Sequence, residues 1–305
     1  MIVVLVIIML ASATQSLQPR TRTQTAYAHT IDRYIGTLEA DLPRVAYIAG
    51  FRSLIGLEEH ISATGQYLPD VDAAFEEMFT NGTANGTFFG IMNASTFTNF
   101  TSRFMVLAAK QGMRANLTLL SINAYHETPW EVTLNFTVFM RVEDTSGSIA
   151  FSRNLTTQAV IPIIDVKDPV YTIGTQGRAP HSIAQSNLSR PLITATNDTS
   201  KLQTIVNETL YVESVNAPSF LQRFEGNFSP SPNGIVSLVD IAELRTQGLP
   251  VDQCKSVVDF KYFGPVDTDP NHEIVNMDPN DFWLGDGDLA DFDAAGKEVG
   301  FVSCP

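Results

Sequence analysis

The chain has 305 residues, 44% of them hydrophobic, and a formal net charge of −14, which is enough length for one large or two modest domains. Nineteen Lys and Arg stand against 33 Asp and Glu, so there is no basic patch to neutralise phosphates and nucleic acid is not expected as a partner. The excess acid is concentrated at the end. Residues 266–305 hold ten carboxylates and one lysine, Lys297.

At the other end, Ile2 to Leu10 is almost wholly aliphatic and leads into Ala11-Ser12-Ala13 and polar Thr14-Gln15-Ser16. That order matches the apolar region and small-residue cleavage site of a secretory signal. No Lys or Arg precedes the run, while Arg20 and Arg22 follow it. A start placed too late, removing a basic leader, would explain this and a run of about 13 residues where a span needs roughly 20. We read residues 1–20 as a hydrophobic anchor, with a cleaved signal as the alternative. The membrane is then a partner through this N-terminal helix.

From Ile31 on, Ile31, Ile35, Leu38, Leu42, Val45, Ile48, Leu54 and Ile61 recur at helical steps. Pro43 inside the pattern predicts a kink or a fresh helix start, and Gly65 a stop. Asp70 is placed to cap a short helix through Phe75 and Met78 that Asn81-Gly82 ends. A third helix, about Phe97 to Gln111 with Gly112 as terminator, puts Phe100, Phe104, Leu107 and Ala108 on one stripe.

The period then drops to two. Trp130, Val132, Leu134, Phe136, Val138, Met140 and Val142 alternate with mostly polar residues, which is a half-buried antiparallel strand. Residues 143–147 form its turn. The return strand points Ile149, Phe151, Leu155, Ala159 and Ile161 inward, and an earlier strand, about Ala115 to Tyr125, completes a meander. The expected fold class is α+β: a long N-terminal helix packed on an antiparallel β-meander over 21–165, then a loop-rich region over 166–305 with an acidic tail. In that second region, 235–239 and 257–263 are expected as strands or short buried segments. Trp130 is expected in the core, and Trp283 as an anchor packing the acidic loop down.

Cys254 and Cys304 are too far apart for a zinc or redox motif. In an exported chain they suggest one disulfide, worth about 4 kcal/mol on the chain-entropy model, with two buried thiols as the alternative. Asp267, Asp269 and Asn271 offer oxygens at alternate positions and Asp278 follows, so these four form a candidate Ca²⁺ site. His272 stands where an EF-hand needs glycine, so a solvated acidic loop is the main expectation, with no other cofactor. Asp286, Asp288, Asp291 and Asp293 make a second acidic cluster without full spacing. His29, His60, His126, His181 and His272 form no zinc pair, and there is no nucleophile elbow, P-loop or dinucleotide fingerprint. An enzyme is not expected.

Eleven of seventeen asparagines lie in Asn-x-Ser/Thr: Asn81, Asn85, Asn93, Asn99, Asn116, Asn135, Asn154, Asn187, Asn197, Asn207 and Asn227. Roughly three would arise by accident, and a sequon is used only on a surface that crosses a membrane. Asn135 and Asn154 fall on the predicted wet face of the meander.

The apolar run Ile2–Leu10, its continuation Asp41–Leu54, and the segments Ala217–Gly226 and Ser256–Phe263 together resemble archaeal pilin-like surface proteins of the class III signal type. The resemblance implies a membrane-anchored, glycosylated cell-surface protein of structural or interaction function, with self-assembly or a surface protein as partner. The alternatives are a secreted or anchored adhesin with a Ca²⁺-dependent acidic loop and, further off, an extracellular hydrolase.

Overall fold

The computed structural model describes residues 2–193, 198–265, 270–274, 276–277 and 282–295, with side chains from residue 28 on. The chain is α+β and forms two compact units. The first comprises Met1–Ala49, Ala94–Asn123 and Asn135–Ala159; the second comprises Gly50–Asn93, Ala124–Leu134 and Val160–Pro305.

Helix α1 runs from Ile2 to Thr64, so no new helix starts at Pro43. Pro43 lies on the exposed side, where water can satisfy the carbonyl that a proline leaves without an amide partner. Gly65, at φ +66, ends the helix with its amide bonded back to Ile61 O at 2.8 Å. Among the described residues no helix is long and apolar enough to cross a membrane; the side chains of the expected anchor lie outside them. Helix α2 (Val71–Asn81) starts at Asp70, whose carboxylate accepts from the Ala73 amide at 2.9 Å, and closes on Gly82 in the left-handed region. A small hairpin, β1 (Thr83–Ala84) and β2 (Thr87–Phe88), precedes α3 (Phe97–Lys110).

In the first unit Ile31, Tyr34, Ile35, Leu38 and Leu42 of α1 are buried, with Phe97, Phe104 and Ala108 of α3. Tyr34 stacks on Phe104 at 4.7 Å and donates to its carbonyl at 2.5 Å, while Phe97 meets Phe136 edge-on at 6.2 Å. Val45, Ile48 and Leu107 were expected inside but are not: Ile48 is 38% and Leu107 52% exposed, and Val45 is half-buried. The apolar pattern is wider than the stripe its neighbours cover, so its margin stays wet.

Strands β3 (Met113–Thr128), β4 (Glu131–Asp144) and β5 (Ala150–Pro162) lie in that order in one sheet. Every predicted inward residue from Val132 to Val142 is buried. Strand β5 departs from its pattern, since Phe151 is 37% exposed, Ile149 and Leu155 are half-buried, and only Ala159 and Ile161 are sealed. It is an edge strand with a neighbour on one side alone, which thins its cover.

In the second unit, a Cβ on Gly50 would fall 2.5 Å from Ile161 Cδ1, and one on Gly56 would fall 2.9 Å from Met78 Sδ. Both glycines are therefore sites of close packing against α1. The elements α4 (Pro169–Gly174), β6 (Ala184–Gln185), α5 (Ser200–Asn207), β7 (Leu210–Glu213), α6 (Phe220–Glu225), β8 (Ile235–Val236), α7 (Ile241–Thr246), α8 (Asp259–Tyr262), β9 (Asn271–Glu273) and β10 (Trp283–Gly285) follow. Strand β7 pairs with β6 in parallel and with β8 antiparallel, and β9 with β10 makes an antiparallel pair. The segment 257–263 is not a strand: Val258 makes an isolated bridge to Leu238 and then one helical turn, α8, begins. Trp130 is half-buried rather than core, its ring N–H donating to Glu213 Oε1 at 2.7 Å. Trp283 is packed down, 7% exposed.

Candidate functional site

The densest chemistry in the second unit is a sealed charge centre. Arg223 of α6 donates through Nη1 to Asp168 Oδ2 at 2.7 Å and to Asp259 Oδ2 at 2.9 Å, and through Nη2 to the Ile235 carbonyl. Asp168 caps α4 through the Val170 amide at 2.9 Å and accepts from Tyr211 OH at 2.8 Å. Asp259 accepts from the Phe260 and Ser237 amides at 2.7 and 3.2 Å. Burial raises the Asp259 carboxyl above its ordinary range against the opposing pull of Arg223. Nearby, burial and then the Asp168 charge push Tyr67 up to about 12. All three charged residues are 0% exposed, so no substrate reaches them. The centre ties α4, α6, β7, β8 and α8 together. Sequence reasoning missed it. The signal was a charge set inside an apolar run, in Phe220-Leu-Gln-Arg223-Phe and in Val257-Val-Asp259-Phe.

The predicted Ca²⁺ ligands Asp267, Asp269 and Asp278 lie outside the described residues, as does Cys304. Among the described residues no group of three His, Cys, Asp or Glu could hold a metal. Asn271 is placed at the start of β9, its amide nitrogen donating to Cys254 O at 2.9 Å. The second acidic cluster does not converge. Asp286 bonds His272, Asp288 pairs with Lys261 at 3.1 Å, Asp291 accepts from Ser214 at 2.7 Å, and Asp293 accepts from the Leu192 amide at 2.9 Å. Each of these carboxylates instead fastens a different part of the second unit.

His126 and His181 are likewise held by the fold. His181 meets Glu243 at 2.9 Å and lies 4.0 Å from the Tyr171 ring. His126 faces the Thr128 and Glu131 carbonyls through Nδ1, at 3.3 and 2.9 Å, while its Nε2 accepts the Leu221 amide at 3.3 Å. Burial lowers its pKa, the carbonyl bonds opposing.

The sequons are the predicted site residues that share a property. Asn197 lies outside the described residues; the other ten asparagines are all exposed, and none of their ten partner Ser or Thr residues is fully buried. On the sheet of the first unit, Asn116, Asn135 and Asn154 fall one to a strand on β3, β4 and β5. The partner hydroxyls of the last two, Thr137 and Thr156, bond across neighbouring strands at 3.0 Å. Where Asn99, Asn207 and Asn227 make side-chain hydrogen bonds, the oxygen accepts them, not the nitrogen to which a glycan is joined.

The first unit also carries a groove of about 360 Å³ between α1 and α3, lined by Tyr34, Leu38, Val45, Ile48, Phe104 and Leu107 among others. Asp41, Arg44 and Arg103 also line it, exposed Val106 borders Leu107, and no sequon asparagine is in the lining.

No family model, curated protein or solved structure matches this chain.

Proposed function

We propose that the chain is a pilin-like cell-surface glycoprotein of structural or interaction function, anchored by its N-terminal helix, with a glycan-covered exterior and a Cys254–Cys304 bridge. The observation that carries this reading is the exposure of all ten described sequon asparagines. Asparagine favours surfaces in any protein, so exposure is a condition that each acceptor must meet to carry sugar and not by itself a sign of occupancy. Three acceptors on one sheet face favour a surface shielded by sugar over one that pairs with another sheet. The most polar buried cluster is closed to solvent, which argues for a scaffold rather than a catalyst.

The test is fractionation of native cells with antibody against the chain, combined with electron microscopy of the surface. Label on the membrane or on filaments that is lost when residues 1–20 are deleted supports the reading; label confined to the cytosol refutes it.

A further inference from the structure

Strands β9 and β10 set Asn271 directly opposite Gly285. The place where Gly285 would carry a Cβ is bounded by Asp288 Oδ2 at 2.9 Å, Asn271 Oδ1 at 3.3 Å and Lys261 Nζ at 3.3 Å. A carboxyl, a primary amide and an amine thus converge on one bare glycine from the turn after β10, from the start of β9 and from α8. Asp288 is fixed there: Oδ1 lies 3.1 Å from Lys261 Nζ, and Oδ2 accepts from Ser256 Oγ at 3.0 Å and from the Gly285 amide at 3.2 Å. Asn271 holds the Cys254 carbonyl through its nitrogen, while its buried oxygen accepts no hydrogen bond. A buried acceptor without a donor is costly and calls for a cause. Leu284 is wholly buried beside it, and Asp288 and Trp283 are nearly so.

We propose that Lys261 and Asn271 join in an intramolecular isopeptide bond, with Asp288 as the group that transfers the protons. Lys261 and Asn271 are half-buried and Asp288 is sealed; as water is excluded, an ammonium–carboxylate pair gains a neutral alternative, reached when one proton passes from the amine to the acid. Burial raises the Asp288 carboxyl in that direction, with Lys261 opposing. The lone pair of the neutral Nζ attacks Asn271 Cγ. The new C–N bond forms as the carbonyl electron pair moves to Oδ1, which takes the proton from Asp288. When the adduct collapses, Oδ1 returns its proton to the Asp288 carboxylate, the C=O bond re-forms and Cγ–Nδ2 breaks. Nδ2 leaves as ammonia after receiving, through Asp288, a proton from the former amine. An amine and a primary amide become a secondary amide and ammonia, with no oxidant and no cofactor. The bond fastens the acidic C-terminal segment to α8. It stands apart from the glycoprotein reading and is tested separately.

The experiment is mass spectrometry of the full chain after reduction, alkylation, denaturation and trypsin. No Lys or Arg lies between Lys261 and Lys297, and trypsin does not cut after an acylated lysine. The linked chain yields one peptide, residues 256–297, lighter than its sequence by one ammonia. The Lys261→Arg variant keeps the charge beside Asp288 and should be cut after position 261, with the ammonia retained. Asp288→Asn should lower the linked fraction at least tenfold while circular dichroism reports the same fold. Two separate peptides of full mass from the wild-type chain would overturn the proposal. So would loss of water in place of ammonia, which would make Asp288 the acyl partner. Ammonia loss with cleavage after Lys261 intact would mean a succinimide and would overturn it equally.

Discussion

Replacing Arg223 by Met removes the only cation described in the sealed centre and leaves Asp168 and Asp259 facing each other at zero exposure. It also leaves the Ile235 carbonyl without its donor. Breaking a buried ion pair by deleting one partner costs about 3–5 kcal/mol, a large part of the roughly 5–15 kcal/mol that holds a typical protein folded. The loss should depend on pH with a definite sign. Burial raises the Asp259 carboxyl against the pull of Arg223, so without the guanidinium it titrates further above its unfolded value of about 3.9. Such groups cost stability as pH rises from the unfolded value through the folded one. The variant should therefore be hurt more at pH 8 than at pH 5. Adding Asp168→Asn and Asp259→Asn keeps the acceptors for Val170, Tyr211 and Phe260 while removing the charge, and should restore a substantial share. Urea unfolding followed by tryptophan fluorescence suits the test, because Trp130 and Trp283 both belong to the second unit. A loss under about 1 kcal/mol, or one identical at both pH values, would refute the buried-charge reasoning.

Two further outcomes follow from the packing. His126 is lowered by burial, and protonating Nε2 would set a second N–H against the Leu221 amide; wild-type stability should fall as pH drops through about 6.5, and His126→Gln should flatten that slope in the same urea assay. Gly50→Val should cost about 1–3 kcal/mol by overpacking, despite removing a helical glycine, since its Cβ would press on Ile161 and Leu134 at 2.5 and 3.0 Å; a variant of equal or higher melting temperature would show that the contact yields.

The legible parts of the fold were those where a local rule and the tertiary environment agreed. Asp70 and Gly82 bound α2 because capping is settled within one turn of chain. Strand β4 buries every apolar residue of its alternating pattern, being the central strand of three, although Thr133 is buried too. Leu107 and Phe151 are apolar at the right period yet stay wet, because period says which residues share a face and not how far a neighbour reaches. The pairing of Arg223 with Asp168 and Asp259 joins residues 55 and 36 positions apart, which no local pattern encodes. The same holds for Lys261, Asn271 and Asp288, where the informative residue is the glycine between them. The partners of Asp286, Asp288, Asp291 and Asp293 were not legible, because spacing alone cannot tell a carboxylate that meets an ion from one that meets an amide or a lysine.

The proposed glycan-covered exterior is tested most directly by site-resolved mass spectrometry of the native protein before and after enzymatic or chemical deglycosylation. We expect sugar on most of the ten exposed acceptors, including Asn116, Asn135 and Asn154 on the sheet. A native chain with every one of these asparagines bare would contradict the proposal that this is a cell-surface glycoprotein.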